Sequence, residues 1–406
     1  MTIRSFLKIK EDFTYELEYL SRIGTAVFVN PFVDKSKLLT ILFCLINLLT
    51  ILTATQLTVT LCLKNLTDLL EIVDIMPNLA VVLMSVLKYM SIHVYRHVYQ
   101  EIFFHFRNIF QNLEPDNQNH LNIVAKFTRI SKFLKRLIFY YSVLLIIFIG
   151  SFPRIFMYYT NNSIGMDPQY LYPFEGWYPF DNVAWYNLVY IWECLMTSIV
   201  IFIYVFVNMT NVSFTTYICM ELKVIGNDLE NLIGPEDVLK IRHGGQVKET
   251  HFFIRKKLRK IIMQHQTLAK IAKDFDNILG IVFLITHLYS SVFICLTIFT
   301  ATVVDNLYKS LRYFFMCCSM LIDIFLQCVL GQILSDHSSE LSNAIYFADW
   351  PYADKDTKLM LLIFMTRTRK PFQYTARGFV VMNLDTFSAV CSLSYQMFNL
   401  LRTAYC

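Results

Sequence analysis

The chain carries the run LLTILFCLINLLTILTATQLTVTL at positions 38–61, and no residue in it is charged. At about 1.5 Å per residue, a helix of this length crosses the ~30 Å of hydrocarbon in a bilayer, where only closed backbone hydrogen bonding survives. Further apolar stretches of similar length lie at positions 75–98, 137–158, 184–207, 277–304, 313–334 and 378–401. The sequence therefore predicts an all-α membrane protein with seven transmembrane helices.

Composition agrees with this class, because 55% of the residues are hydrophobic and 16% are aromatic. The net charge of +5 comes from loops and gives no sign of nucleic-acid binding. We find no Walker loop, no His-Glu-x-x-His motif and no nucleophile elbow, so nothing favours an enzyme. His93 and His97 could share a helix face, but they lack a third ligand. We therefore expect no metal and no cofactor.

Positive charge is distributed unequally between the two sides of the predicted membrane. Segments 1–37, 96–136, 222–276 and 335–377 together hold 30 of the 36 lysine and arginine residues. The opposite side holds five, and Lys88 lies inside the second stretch. Because cytoplasmic loops retain positive charge during insertion, we expect a cytoplasmic N-terminus. Seven crossings then leave the C-terminus extracellular.

This topology divides the chain into alternating segments. The fourth helix is expected to project beyond the membrane, because 184–232 contains no proline before Gly234-Pro235. The cytoplasmic pieces either form a helical anchor region or remain mobile loops. The extracellular loop at 154–183 is rich in aromatic residues and forms either an ordered cap or an ordinary aromatic belt. The expected segments are a cytoplasmic N-terminal part (1–37), helices 1–4 (38–221) with an aromatic extracellular loop (154–183), a cytoplasmic helical extension (222–276), helices 5–6 (277–334), a cytoplasmic helical segment (335–377), and helix 7 with the extracellular C-terminus (378–406).

Two ionisable residues lie deep inside predicted spans, where charge is costly. Lys88 of the second helix and Asp323 of the sixth are predicted at depths of ~20 Å and ~15 Å, which agree to within about one helical turn. We expect them to form an intramembrane ion pair, with Glu193 as a competing partner for the lysine. Such a pair either holds helices together or also has a functional role.

The seventh span has polar residues at helical spacing: Ser388, Ser392, Tyr395 or Gln396, Asn399 and Thr403. Lipid cannot satisfy hydroxyl and amide groups, so this stripe must face water or protein. It indicates either a pore lining or a contact between helices, and periodicity does not decide between them.

The C-terminal sixth of the chain carries a series of short motifs. They are SSELSNAIY at 338–346, followed by Trp350, and then Arg369-Lys370-Pro371, LDTF at 384–387, Ser394-Tyr395 and Leu400-Leu401-Arg402. In order and spacing this series resembles the insect odorant receptors, and the run at 338–346 with Trp350 is similar to the end of the sixth helix in that family. Weaker similarity in WYPFD at 177–181 and at Lys88 extends the resemblance over nearly the whole chain.

The resemblance implies a subunit of a ligand-gated, non-selective cation channel, with four subunits around a pore lined by the seventh helix. Cytoplasmic helices would form the assembly interface. The channel would lie in the plasma membrane of a sensory neuron dendrite. The chain lacks the long second cytoplasmic loop of the family's co-receptor, so it resembles an odorant-tuned subunit that works with that co-receptor.

Other classes fit the sequence less well. Gustatory receptors share the architecture, but their Thr-Tyr…Gln-Phe ending is missing. The distribution of charge and the absence of proline from spans five to seven disfavour a G-protein-coupled receptor. A transporter would predict paired broken helices, and no such repeat is visible.

The resemblance also implies where the sites lie. An apolar pocket for a small volatile ligand is expected in the outer half of the bundle. Alignment with the family's constriction makes Leu400 the expected gate, with Gln396, Asn399 and Thr403 beside it in the pore. The ligand-binding candidates, chosen by depth, are Met84, Tyr89, Ile147, Gly150, Ser151, Tyr190, Thr197, Ile201, Cys317 and Met320.

Overall fold

A computed structural model describes residues 3–32, 37–63, 69–111, 118–163, 170–174, 176–244, 247–304 and 307–405. These residues are almost entirely helical, apart from two short strands and one turn of 3-10 helix at Trp350–Tyr352. The helices and strands, in chain order, are α1 (Ile3–Ala26), α2 (Lys37–Leu63), α3 (Leu69–Val94), α4 (Arg96–Gln111), α5 (Gln118–Ser163), α6 (Tyr186–Glu230), α7 (Pro235–Arg242), α8 (Val247–Val303), α9 (Leu307–Phe347), α10 (Lys355–Thr368), β1 (Thr375–Ala376), β2 (Val380–Val381) and α11 (Leu384–Tyr405).

Within these described ranges, six helices are long and apolar enough to cross a membrane, namely α2, α3, α5, α6, α8 and α9. They carry the first six predicted apolar stretches. The helix α11 carries most of the seventh stretch, but its polar side chains make it less apolar than the other six. The sequence predicted an all-α membrane protein with seven transmembrane helices, and the structure confirms an all-α fold with six to seven apolar helices.

The long helix α6 occupies the middle of the packing arrangement. Every side chain from 205 to 222 is buried except that of Asn208, which is half-buried. A helix that is buried on all sides needs neighbours around its whole circumference. Accordingly, α6 packs on α1, α2, α3, α5, α8 and α9. The helix continues without a break to Glu230, well past its apolar stretch, as the absence of proline predicts.

One end of the molecule is a second helical bundle, formed where α5, α6, α8 and α9 extend past their apolar stretches. The helices α1, α4, α7 and α10 pack onto these extensions. We call this region the basic end, because it includes the lysine-rich and arginine-rich segments. Two histidine–carboxylate pairs brace α6 there: His105 Nε2 to Glu221 Oε2 at 3.1 Å and His120 Nε2 to Asp228 Oδ1 at 2.7 Å.

The N-terminal segment, expected only to be cytoplasmic, forms the amphipathic helix α1. Phe13, Leu17 and Leu20 are buried at spacings of four and three residues, which places them on one helix face. On the same helix, Glu16 Oε2 lies 2.5 Å from Lys135 Nζ of α5, and both side chains are buried. Burial lowers the pKa of Lys135, and the Glu16 carboxylate opposes that shift. The pair attaches α1 to the basic end.

The seventh helix begins at Leu384, six residues later than the predicted start at 378. The preceding residues form an antiparallel hairpin in which Thr375 pairs with Val381. Arg377 and Gly378 at its tip have φ values of 54° and 78°, and the Phe379 amide donates to the Ala376 carbonyl at 3.0 Å. Two consecutive left-handed residues cannot continue a right-handed helix, so α11 starts only after the hairpin.

A buried histidine joins α8 to α10 at the basic end. The ring of His265 stacks on Phe372 at a centroid distance of 5.4 Å and meets Phe364 edge-on at 5.0 Å. Burial, with a contribution from Arg367, lowers the pKa of His265 from 6.5 to about 4. The imidazole therefore remains neutral in the folded protein at neutral pH.

His265 is expected to make the protein acid-sensitive. As the pH falls towards 5, His265 becomes protonated in the unfolded chain but stays neutral in the folded protein. The free energy of unfolding therefore falls by on the order of 2 kcal/mol. The variant His265→Leu should lose this part of the pH dependence, measured as thermal unfolding in detergent at neutral and mildly acidic pH. The exposed His243→Leu serves as the control and should keep it. An unchanged pH dependence in His265→Leu would contradict the assignment.

Candidate functional site

A buried charge pair lies inside the transmembrane bundle. Lys88 Nζ on α3 is 3.0 Å from Oδ2 and 3.3 Å from Oδ1 of Asp323 on α9. Asn208 Nδ2 of α6 donates to Oδ1 at 2.9 Å, and Gln327 Nε2 donates to Oδ2 at 2.9 Å. The ring of Tyr204 lies 3.9 Å from Lys88 Nζ, at cation–π distance. One carboxylate thus joins three helices.

These contacts replace the water that both ions would have in solution. An uncompensated charge is expensive to bury, and a close counter-ion with further hydrogen bonds offsets that expense. The similar depths of Lys88 and Asp323 in the predicted helices indicated from sequence that the two pair. Depth alone did not identify Asn208 or Tyr204 as further partners. The sequence does carry one signal for Gln327, because it follows Asp323 at i+4 and therefore shares its helix face.

Loss of either charged partner is expected to destabilise the bundle. Lys88→Met or Asp323→Leu leaves one buried charge uncompensated, at a cost of ~3–5 kcal/mol, whereas the double variant removes both charges and should recover much of this loss. Surface expression and the monodisperse fraction in detergent measure the effect.

A matched control is the exposed pair of Lys223 and Glu340, whose Nζ and Oε2 lie 3.0 Å apart. Lys223→Met should change stability by less than about 1 kcal/mol. Equal behaviour of both single variants and the double variant would show that Lys88 and Asp323 are not coupled.

Seven of the ten predicted ligand residues are buried or half-buried on four helices of the bundle. Tyr190 of α6 donates its hydroxyl to the Gly150 carbonyl of α5 at 2.7 Å. On α9, the sulfur of Met320 accepts a hydrogen bond from the Tyr289 hydroxyl of α8 at 3.6 Å. The seven are Met84 on α3, Gly150 on α5, Tyr190, Thr197 and Ile201 on α6, and Cys317 and Met320 on α9.

The structure separates the other three predicted ligand residues from this set. Ile147 is 60% exposed and Ser151 is also exposed, so both α5 side chains point away from the packed interior of the chain. Tyr89 is buried, but its hydroxyl donates to the Val27 carbonyl at 3.0 Å and its ring stacks on Phe43. Tyr89 therefore packs towards the basic end. The sequence indicates how deep a residue lies in the membrane better than it indicates which way its side chain points.

Residues 170–174 and 176–183 form a loop over the opposite end of the bundle, which we call the loop end. Two buried charged residues hold one peptide unit of this loop: Glu193 Oε2 accepts the Phe174 amide at 3.0 Å, and Arg312 Nη1 donates to the Pro173 carbonyl at 3.3 Å. Tyr178 also donates its hydroxyl to Glu193 Oε1 at 2.9 Å. Glu193 thus bonds to this loop, whereas Lys88 pairs with Asp323. The loop residues 164–169 and 175 lie outside the described residues.

The polar stripe of α11 lies on the outside of the chain. Its members Ser388, Ser392, Tyr395, Gln396, Asn399 and Thr403 are all exposed, and Leu400 beside them is 71% exposed. Val390 and Ser394 are buried on the other side of α11, and Phe387 packs edge-on against Phe325 of α9. The stripe therefore does not join α11 to helices of its own chain.

The two predicted histidines are placed differently from metal ligands. His93 stacks on Phe43 at a centroid distance of 4.1 Å, and His97 is exposed. Among the residues that the structure describes, no group of three histidine, cysteine, aspartate or glutamate side chains is placed to hold a metal ion.

The fold and the buried polar groups define a multi-pass α-helical membrane protein. Residues 68–395 match the family model described as 7tm Odorant receptor. The chain belongs to this odorant receptor family. The family and the fold are of receptor type and not of enzyme type.

Individual relatives agree with this assignment. The chain is 25% identical over 354 residues to putative odorant receptor 92a of Drosophila melanogaster, covering 84% of this chain and 81% of that protein. The chain is also 32% identical to putative odorant receptor 85d of the same organism over 151 residues, which cover only 36% of either protein. The fold is similar to that of olfactory receptor OR5 from Machilis hrabei in complex with eugenol, with a TM-score of 0.80, 17% identity, and coverage of 97% and 100% of the two chains.

Proposed function

We propose that this chain is the odorant-tuned subunit of a ligand-gated, non-selective cation channel. Four subunits, including a co-receptor subunit, surround a central pore lined by α11 in the plasma membrane of a sensory neuron dendrite. A small volatile molecule binds within the half of the bundle nearer the loop end. Its binding opens the pore.

The observation that carries this proposal is the exposed polar stripe of α11. Hydroxyl and amide groups at membrane depth need water or a protein partner, and no helix among the described residues covers the stripe. Around a central axis, α11 and the corresponding helices of the other subunits would enclose a column of water that these groups face. Leu400 borders the stripe and could close such a column by excluding water where the four pore helices meet.

Assembly with other subunits is supported by apolar side chains at the basic end. In a segment that topology assigns to water, large exposed apolar groups mark contact surfaces. They are found on the last turn of α9 and along one side of α10: Tyr346, Phe347, Leu359, Leu362 and Ile363. We propose that they pack against neighbouring subunits.

The expected ligand is small and mainly apolar. The seven interior candidates are mostly apolar, and they include the Tyr190 and Thr197 hydroxyls as polar groups that could orient a ligand. The Machilis hrabei receptor of similar fold forms a complex with eugenol, which supports a small molecule as the ligand class. The distribution of lysine and arginine supports a cytoplasmic basic end and an extracellular loop end.

The test is electrical recording from cells that express this chain with a co-receptor of the family. We expect volatile-evoked cation current only when both subunits are present. Leu400→Ser should raise the current without ligand, because a polar ring no longer excludes water from the closed pore. Leu48→Ser changes an exposed leucine of α2, away from α11, and should leave basal current unchanged.

Two results would count against the proposal. Absence of volatile-evoked current across a broad panel, with both subunits at the cell surface, would contradict the channel function. Normal closure and unchanged permeation in Leu400→Ser would place the constriction elsewhere while leaving the channel function intact.

A further inference from the structure

The hairpin that precedes α11 is held at several points by the surrounding helices. The buried Tyr374 hydroxyl lies 2.8 Å from Thr215 Oγ1 of α6. The Thr375 amide donates to Asp276 Oδ1 of α8 at 2.6 Å, and the Thr375 hydroxyl donates to Oδ2 at 3.0 Å. Side chains from two helices thus fix the first strand of the hairpin.

Two helix glycines allow the hairpin backbone to approach α8 and α9 directly. A Cβ on Gly280 of α8 would lie 3.2 Å from the Arg377 amide nitrogen and 3.3 Å from the Thr375 carbonyl oxygen. A Cβ on Gly331 of α9 would overlap the Met382 carbonyl oxygen far inside contact distance. Backbone atoms cannot rotate away as a flexible side chain can, so these two contacts are stiff.

The same two helices carry parts of the interior described above. Gly331 follows Asp323 by eight residues along α9, or about 12 Å. Tyr289 of α8 reaches Met320 of α9. On the other side of the hairpin, the Thr386 hydroxyl in the first turn of α11 donates to the Val381 carbonyl at 2.7 Å. The hairpin is therefore in direct contact with α8, α9 and α11.

We propose that Asp276, Gly280 and Gly331 are positioning residues that form a seat for the hairpin and transmit movements of α8 and α9 to α11. This inference rests on the proposed channel function and adds the route by which ligand binding reaches the pore. Met382 follows β2 directly and is separated from α11 by the single residue Asn383, so any shift of the Gly331 contact displaces the start of that helix.

The test measures volatile-evoked peak current per surface receptor, in cells that express the full chain with the co-receptor. Gly331→Ala forces the hairpin away from α9 and should reduce this ratio about fivefold or more, because a steric penalty in the seat shifts the closed–open equilibrium. Gly280→Ala meets looser contacts and should cause a smaller loss. Thr375→Val keeps the amide bond to Asp276 but loses the hydroxyl bond, and should also cause a partial loss.

The control is Gly226→Ala, another substitution inside a helix. A Cβ there would meet only Leu341 and Ala344 side-chain atoms, at 3.7 and 3.9 Å. The ratio should equal that of the wild type. If Gly331→Ala does not reach the surface, Gly280→Ala and Thr375→Val decide the question.

Wild-type ratios in the variants that reach the surface would overturn the seat while leaving the channel function standing. Absence of evoked current in the wild type itself would instead overturn the proposed function. The two failures are therefore distinguishable.

Discussion

Every polar atom at membrane depth must be hydrogen-bonded or hydrated, and the rest of this structure depends on that constraint. It forces the backbone into long helices, because hydrocarbon offers no partner to an open amide or carbonyl. It also explains why Asp323 is surrounded by an ammonium and two amides from three helices. Among the described residues, the stripe on α11 is an exposed row of polar groups that helices of the single chain do not cover. Water or other subunits must satisfy these groups.

The central helix α6 connects the parts of the molecule that this constraint creates. Near the loop end it supplies Glu193, which holds the aromatic loop. Farther along it supplies Asn208 to the charge pair, and then Thr215 to the hairpin before α11. In its last turns, Asp228 pairs with His120 of α5. A single long helix, buried all round between residues 205 and 222 apart from the half-buried Asn208, thus contacts the loop, the charge pair, the hairpin and the basic end.

The sequence predicted the features that depend on local composition. Apolar runs of sufficient length determine membrane-crossing helices, and the absence of proline determined how far α6 extends. The sequence also placed Lys88 and Asp323 at similar depth, because depth follows from counting residues along a helix. The direction in which a side chain points was harder to predict, since it depends on which neighbours pack on each helix face. Ile147 and Ser151 therefore proved to be exposed, and Tyr89 was found beside Val27.

Other features could not be predicted because they arise from tertiary contacts. Nothing local distinguishes Gly331 from Gly226, yet only Gly331 faces a backbone carbonyl. The hairpin at 375–381 had a signal in its Arg-Gly tip, but the apolar residues around it favoured a continuous helix. Glu193 and Arg312 hold the same peptide unit although they are far apart in sequence. Such pairs become visible only after the helices are packed.

If α11 lines a water-filled pore, its polar stripe is in contact with water, which cysteine accessibility measures. Single cysteines at Ser392, Gln396, Asn399 and Thr403 would be exposed to a membrane-impermeant cationic thiol reagent during ligand-evoked current. We expect irreversible block at stripe positions, and no block in the wild type or with cysteine at Ser394, which is buried on the other side of α11. Unblocked current at every stripe position would contradict a pore lined by α11.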